Sequence, residues 1–160
     1  MADDGRRRAT LIRRLSSRKQ ISVGQLLFKA ARLFHERAMA RVQARVPEAK
    51  HAHANLLPYI DLDGTRQTEI ARRAGISKQA VGQLVDEMVA HGMLRRDPDP
   101  KDGRAQLVRF TDDGIEQMLH GIDVLDEIEL ELGGEVGAMT LERIKRGLVK
   151  LLPALERLEP

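Results

Sequence analysis

A chain of 160 residues can form one domain of ordinary size, and its net charge of only +3 argues against a protein that coats nucleic acid uniformly. It has no cysteine, which excludes a disulfide framework, a thiolate metal site and a thiol redox sensor. No stretch approaches the roughly 18 apolar residues of a membrane span, and the first 20 residues lack a signal peptide's apolar segment. We therefore expect a soluble, cytoplasmic protein.

The first 20 residues are strongly basic. They contain seven Lys or Arg against two Asp, a local net charge of +5, and show little regular apolar spacing beyond Leu11, Ile12 and Leu15. We predict a flexible arm at residues 1–20, disordered or loosely helical. The alternative is an arm whose cations contact phosphates near a nucleic-acid site.

Apolar residues then recur at helical spacing from residue 21 and stop before Pro47, which predicts an amphipathic helix of about 24 residues. Part of its face should meet another subunit. His51 and His53 follow, and together with His35 they could supply metal ligands. Residues two apart lie on different faces of a helix, however, so solvated or capping histidines are the favoured interpretation. We expect no metal and no cofactor.

Two short helices separated by a tight turn come next. Thr65 is predicted to cap the first helix, and Gly75 can adopt the positive φ that closes the turn. Ile76 is predicted to pack inward. Ser77 is a suitable cap for the second helix, which should extend to about Ala90.

The second helix has two different faces. Val81, Leu84, Val85 and Met88 form an apolar stripe, whereas the opposite side is polar and rich in small or amide side chains. Glutamine can pair with adenine in the major groove, and Lys or Ser can reach phosphates or guanine. An ordinary surface helix is the alternative. The predicted contact residues are Ser77, Lys78, Gln79 and Gln83.

A basic hairpin is predicted after the second helix. Met93–Arg96 and Arg104–Phe110 should form two strands, joined by the turn-forming residues 97–103. A minor groove attracts an arginine held at such a tip, and Asp102 is placed to orient Arg104. A hairpin that merely covers the core is the alternative. The basic residues here are Arg95, Arg96, Lys101, Arg104 and Arg109, of which Arg95, Lys101 and Arg104 are predicted to contact DNA.

Two helices should complete the chain. Thr111 is predicted to cap the first, which Gly133 and Gly134 should break, and Pro153 should kink or shorten the end of the second. Both carry apolar stripes. We predict that these stripes form a dimer interface; packing within one chain is the alternative.

Residues 20–158 resemble the MarR-type winged helix-turn-helix regulators. The segment EIARRAGISKQAVGQLVDEMVAHGML looks like the helix-turn-helix, and RRDPDPKDGRAQLVRFTDDG looks like the wing. The resemblance implies a mainly α fold with a small β-wing: a winged helix-turn-helix at residues 63–111, flanked by dimerisation helices at 21–62 and 112–160 of a single domain. Gly82 and Gln83 depart from the family's usual Ser or Thr and Arg.

The resemblance also implies a function. It implies a homodimer that binds a pseudo-palindromic operator, with Ser77, Lys78, Gln79 and Gln83 in the major groove and Arg104 in the minor groove. It further implies a repressor released by a small anionic aromatic ligand, for which the candidate residues are Arg32, His35, His51 and Tyr59.

Two other functional classes are alternatives to this interpretation. The first is a winged-helix adaptor that binds proteins without DNA specificity. The basic hairpin and the polar helix face argue against it. An enzyme is not expected, because the sequence has no Gly-rich phosphate loop, nucleophile elbow, acid pair or metal constellation at useful spacing.

Overall fold

The computed structural model describes the backbone of residues 2–158 and the side chains of residues 5–19 and 22–158. Its elements are, in order, α1 (Ala2–Ile21), α2 (Val23–Arg45), α3 (His51–Leu56), a 3₁₀ turn (Leu57–Tyr59), β1 (Thr65–Arg66), α4 (Gln67–Ala74), α5 (Lys78–Ala90), β2 (Leu94–Asp99), β3 (Asp102–Phe110), α6 (Asp112–Val136) and α7 (Ala138–Arg157). This confirms a mainly helical fold with a small β-wing. The chain divides into two compact units, with the boundary in the sequence between Ala40 and Arg41.

The first unit consists of α1 and most of α2. The regular helix at α1 differs from the disordered form of the predicted arm, although every described side chain from residue 5 to 19 is exposed. Arginine and leucine have high helix propensity. The hydroxyls of Thr10 and Ser17 donate to the carbonyls of Arg6 and Arg14 in the preceding turn, so they do not form the local hydrogen bonds that would favour a non-helical backbone. The flexibility of the arm stays a prediction. The long helix predicted from residue 21 is present as α2.

The second unit has an almost entirely aliphatic core beneath the helix-turn-helix. The predicted stripe of α5 supplies its centre, because Val81 and Val85 are completely buried and Met88 nearly so. Burying such side chains contributes roughly 1.5–3 kcal/mol each, which fixes how α5 is rotated. The buried cluster comprises Leu56, Ile60, Ile70, Ala71, Val81, Val85, Met88, Leu94, Val108 and Phe110.

A three-stranded antiparallel sheet of order β1-β3-β2 adjoins this core. Thr65 pairs with Val108 in β1, so the prediction that Thr65 caps α4 was wrong. Its buried hydroxyl donates to Asp61 Oδ2 (3.0 Å) and accepts from the Asp61 amide (2.8 Å). Arg66 stands at the cap position of α4 and makes no side-chain cap bond.

The wing strands are longer than predicted. Asp97, Pro98 and Asp99 belong to β2, so that only Pro100 and Lys101 connect it to β3. Because β2 lies at the sheet edge, a proline there need not break a shared ladder, and the register shifts between Pro98 and Asp99. The turn predicted at residues 97–103 was therefore too long.

Helix α6 begins as predicted and ends later. The Thr111 hydroxyl accepts from the Gly114 amide (2.9 Å), which confirms the cap. The predicted break at Gly133 and Gly134 was wrong, since α6 continues to Val136 and ends at Gly137, whose φ is 87°. Pro153 lies inside α7, which continues to Arg157.

The start of α6 is held tightly against the start of the wing. Thr111 donates from its amide to the Met93 carbonyl (3.1 Å) and from its hydroxyl to the Gly92 carbonyl (2.6 Å). Gly114 is buried there, and a Cβ on it would lie 2.0 Å from the Met93 carbonyl oxygen. Only glycine permits this approach.

In the described part of the chain, no helix combines the length and apolarity that crossing a membrane requires.

Candidate nucleic-acid interface

The turn between α4 and α5 sets the presentation of α5. Gly75 has φ 67°, as predicted, and its amide bonds to the Ala71 carbonyl. The Ser77 hydroxyl accepts from the Ala80 amide (3.1 Å), which confirms it as the cap of α5. Ile76 is 41% exposed, so the prediction that it packs inward was wrong. Backbone bonds close this turn, and the Ile76 side chain is not needed to hold it.

The outward face of α5 carries the predicted major-groove residues. Burial of the opposite stripe leaves this face exposed at the end where the helix begins. The helix start also presents amide groups and positive dipole character, which suit an anionic partner. All four side chains on this face are exposed: Ser77, Lys78, Gln79 and Gln83.

Gln67 is a contact that the sequence interpretation missed. Its Nε2 donates to the Lys78 carbonyl (2.9 Å) and so joins the first residue of α4 to the first turn of α5. A Cβ on Gly82 would lie 2.9 Å from the same Nε2. Gly82, an isolated glycine within an exposed helix face, was the available sign that another side chain approaches there.

The helix-turn-helix uses several of its charges internally. Glu69 accepts hydrogen bonds from Arg72 and Arg73, which lower its pKa from 4.5 to about 2. Arg73 also donates to both carboxylate oxygens of Asp61 (3.0 and 2.9 Å) and so joins α4 to the turn before β1. These guanidinium groups are engaged in holding the scaffold together.

Most wing arginines are likewise paired with acids. Arg95 lies 3.3 Å and Arg109 3.7 Å from Asp97, while Arg96 lies 2.7 Å from Asp86 on α5. Three of the four arginines of the hairpin are therefore paired with an acid of the hairpin or of α5, and Arg95 is less available for phosphate than its sequence position suggested.

Lys101 and Arg104 differ from these arginines. Both are exposed at the tip, and neither side chain forms an ion pair with a described residue. Asp102 does not hold the Arg104 guanidinium as expected. Its Oδ1 accepts from the Arg104 amide (3.2 Å), and its Oδ2 lies 3.6 Å from Arg66. The aspartate fixes the backbone of the tip and leaves the arginine side chain to project.

Arg66 and the nearly buried Asp99 connect the wing to the helix-turn-helix. The Arg66 guanidinium contacts Asp99 Oδ2 at 2.7 and 2.6 Å, and Asp99 Oδ1 accepts from the Lys101 amide (2.8 Å). The pKa of Asp99 is held below its usual value mainly by the hydrogen bond from the Lys101 amide, and secondly by the hydrogen bond from Arg66. This contact pins the tip to the residue that precedes α4.

The predicted ligand residues belong to two separate units. Arg32 and His35 lie on α2, where Arg32 pairs with Glu36. His51 is exposed at the start of α3, and Tyr59 is half-buried against the core cluster. The ligand prediction stays a prediction.

His53, a candidate metal ligand in the sequence, is buried and bonds to Glu87 on α5. Its Nε2 lies 2.9 Å from Glu87 Oε2, an oxygen that also accepts from Lys50 (2.6 Å). The pKa of Glu87 is held below its usual value mainly by the hydrogen bond from Lys50, and secondly by the hydrogen bond with His53. These contacts tie α3 to α5.

Comparison with known proteins agrees with this geometry. The sequence model described as the MarR family matches residues 50–105, which contain the helix-turn-helix and the wing tip. The transcriptional regulator HosA of Escherichia coli O111:H- is 24% identical over 128 residues, which are 79% of this chain and 95% of HosA. The helix-turn-helix and the wing of this chain are thus similar to those of the MarR family.

Solved MarR-family structures share the fold. The apo form of MarR from E. coli has a TM-score of 0.68 at 19% identity, covering 83% of this chain and 98% of MarR. The repressor CouR, solved on a 23-mer DNA duplex, has a TM-score of 0.65 at 23% identity, covering 88% and 96%. The matched proteins are transcriptional regulators and not enzymes, this chain shares their fold, and the adaptor alternative is not favoured.

Proposed function

We propose that this protein is a DNA-binding transcriptional regulator. It acts as a homodimeric repressor that binds a pseudo-palindromic operator, with one α5 helix in each half-site. The observation that carries the proposal is the contrast between the two faces of α5. Three buried aliphatic residues lock one face to the core, and the exposed face presents Ser77, Lys78, Gln79 and Gln83.

Base preference is assigned to the two glutamines. Each can make a bidentate contact with adenine N6 and N7, worth roughly 1–3 kcal/mol of discrimination. Lys78 and Ser77 are assigned to phosphates, beside the start of α5. Arg95, Lys101 and Asp102 are proposed as accessory wing contacts, with Asp102 acting through the tip backbone. Arg104, which projects without an acidic partner among the described residues, is assigned to the minor groove.

Dimerisation is supported by the apolar surface of α6 and α7. Leu119 and Leu130 on α6 are 56% and 81% exposed, and Leu152 on α7 is 60% exposed. Monomeric proteins rarely leave such stripes uncovered over two helices, and a second copy of the chain would bury them. Phe28 on α2, which is 72% exposed, is also proposed to take part.

Release by a small anionic aromatic ligand completes the proposal. The candidate residues are those of the sequence prediction: Arg32 supplies a cation, His35 and His51 supply imidazole groups, and Tyr59 supplies an aromatic ring. Ligand binding should lower operator affinity. Titration of aromatic carboxylates against the preformed complex, with Arg32→Gln as a variant, tests this part separately from DNA binding.

The decisive experiment is selection of bound duplexes from random DNA, followed by footprinting and sedimentation of the complex. We expect two half-sites about one helical turn apart and two protein chains for each duplex. Absence of any enriched sequence would overturn the operator proposal, and one chain on each duplex would overturn the dimer.

Single substitutions assign the roles. Gln79→Ala should lose about 1–3 kcal/mol of discrimination at one base step, and the matched variant Gln117→Ala, at an exposed position of α6, should lose none. Arg104→Ala should weaken operator binding with the dimer intact, and Arg143→Ala on α7 serves as its control. Equal losses on all sequences for Gln79→Ala would make that residue a positioning contact only.

A further inference from the structure

Helix α1 presents a continuous arginine stripe. At 3.6 residues per turn, five of its arginines fall within an arc of about 140°, and the stripe is about 18 Å long. Thr10 and Ser17 lie within the same arc and direct their hydroxyls to the helix backbone, leaving the arginines as its outward groups. The stripe consists of Arg6, Arg7, Arg13, Arg14 and Arg18.

These arginines lack acidic partners among the described residues. Residues 5–19 contain seven basic and no acidic side chains, and none of the seven basic groups lies within ion-pair distance of a described carboxylate. The wing behaves differently, since three of its arginines are paired. Unpaired like charges on one face repel one another, and an external polyanion would relieve that repulsion.

We propose that α1 binds the phosphate backbone of the DNA that this regulator occupies, in addition to the contacts of the winged helix. This inference rests on the proposed function. A stripe about 18 Å long spans about ten phosphate charges of duplex, which is enough for five guanidinium groups. Six of the seven basic residues are arginine, and the planar guanidinium group can donate two parallel hydrogen bonds to two oxygens of one phosphate.

An anionic membrane surface is the competing partner, and α1 suits it less well. Helices that lie in a lipid interface need a broad apolar face, commonly with aromatic anchors. Among its described side chains, α1 has only Leu11, Ile12 and Leu15 as large apolar groups, spread over about 100° of the helix, and it has no aromatic residue.

The test is the salt dependence of binding to a selected operator extended by one helical turn at each end. The logarithm of the binding constant falls linearly with the logarithm of salt, with a slope of about 0.9 for each phosphate neutralised. Replacing three stripe arginines by glutamine should reduce that slope by about 2 to 3 per chain and leave the order of sequence preference unchanged. The substitutions are Arg7→Gln, Arg14→Gln and Arg18→Gln.

A second triple variant removes the same charge elsewhere. Three exposed cations of α7, which also have no ion pair with a described side chain, are changed together: Arg143→Gln, Lys150→Gln and Arg157→Gln. This variant should keep the wild-type slope. Circular dichroism of both variants shows whether the helix content is retained, as expected because glutamine and arginine have similar helix propensity.

The possible failures are distinguishable. If wild-type protein binds the operator and the α1 variant has the same salt slope, the α1 proposal is overturned and the operator proposal stands. If wild-type protein has no salt-dependent duplex binding, both fail. Wild-type binding to phosphatidylserine vesicles that is lost in the α1 variant, with an unchanged DNA slope, would assign the stripe to a membrane instead.

Discussion

Gly114 gives the sharpest energetic prediction of the structure. In Gly114→Ala the new methyl group would stand 2.0 Å from the Met93 carbonyl oxygen and 2.9 Å from its carbon, and the neighbour is backbone that cannot rotate away. Separation to even 3.0 Å, still a tight contact, requires a shift of about 1 Å between α6 and the start of β2.

The magnitude follows from two opposing effects. Overpacking a close contact costs roughly 1–3 kcal/mol, and alanine regains about 0.5–1 kcal/mol over glycine within a helix. With a rigid partner we expect a net loss of about 2 kcal/mol, equivalent to a fall in Tm of about 4–8 °C for a chain of this length. Because the clash displaces the wing, operator affinity should fall as well.

Gly121 supplies the matched control in the same helix. A Cβ there meets no atom within 4 Å, so Gly121→Ala should raise the free energy of unfolding by up to about 1 kcal/mol. Both variants should be unfolded with heat and with urea at one protein concentration, since the proposed dimerisation would make Tm depend on concentration. A Gly114→Ala protein as stable as wild type would refute the close approach of α6 to Met93.

Three further predictions concern the helix-turn-helix. Ser77→Ala should lower the free energy of unfolding by about 1 kcal/mol in urea, and Ser77→Asn should restore most of the loss, because asparagine also caps helices. Gly82→Ser should displace the Gln67 amide from its carbonyl partner; a double-mutant cycle with Gln67→Ala should show a coupling of about 0.5–1.5 kcal/mol, and additive effects would exclude the contact. Glu69, whose folded pKa is lowered to about 2, contributes stability that is present above pH 4.5 and lost as the pH falls toward 2. Glu69→Gln should therefore flatten the pH dependence of unfolding in that interval, and parallel acid-denaturation curves for the two proteins would contradict this.

Local chemistry was enough to predict the turn between α4 and α5 and the starts of α5 and α6. The caps at Ser77 and Thr111 and the turn at Gly75 each depend on residues within one turn of helix, and all three are confirmed. The stripe of α5 was also readable, because burial at a period of 3.6 residues leaves a pattern in the sequence.

The errors arose where distant residues decide the local structure. Thr65 lies in a strand because Val108 pairs with it, and a cap and a short strand both need an extended threonine. Gly133 remains helical although glycine disfavours helix; α7 packs beside it, and a Cβ added at this position would lie 3.8 Å from Leu141 Cδ2. Pro98 is tolerated because β2 is an edge strand, which the sequence of β2 alone does not reveal.

The predicted interface was incomplete for a similar reason. Patterns of exposed polar residues indicated Gln79 and Arg104 but could not reveal which arginines find acids in the folded chain. Pairing with Asp97 and Asp86 removes much of the apparent positive charge of the wing. The supporting role of Gln67 also depends on α4 and α5 crossing, which a linear pattern does not encode.

The contact between Arg66 and Asp99 limits how this protein can be recombined with its relatives. A chimera that imports only the hairpin between Leu94 and Phe110 would separate the carboxylate from the guanidinium that precedes α4, and would also replace the strand that β1 pairs with. The smallest segment that can be exchanged with both contacts intact therefore begins at Thr65, before α4. The helix-turn-helix and the wing should be transferred together in any chimera.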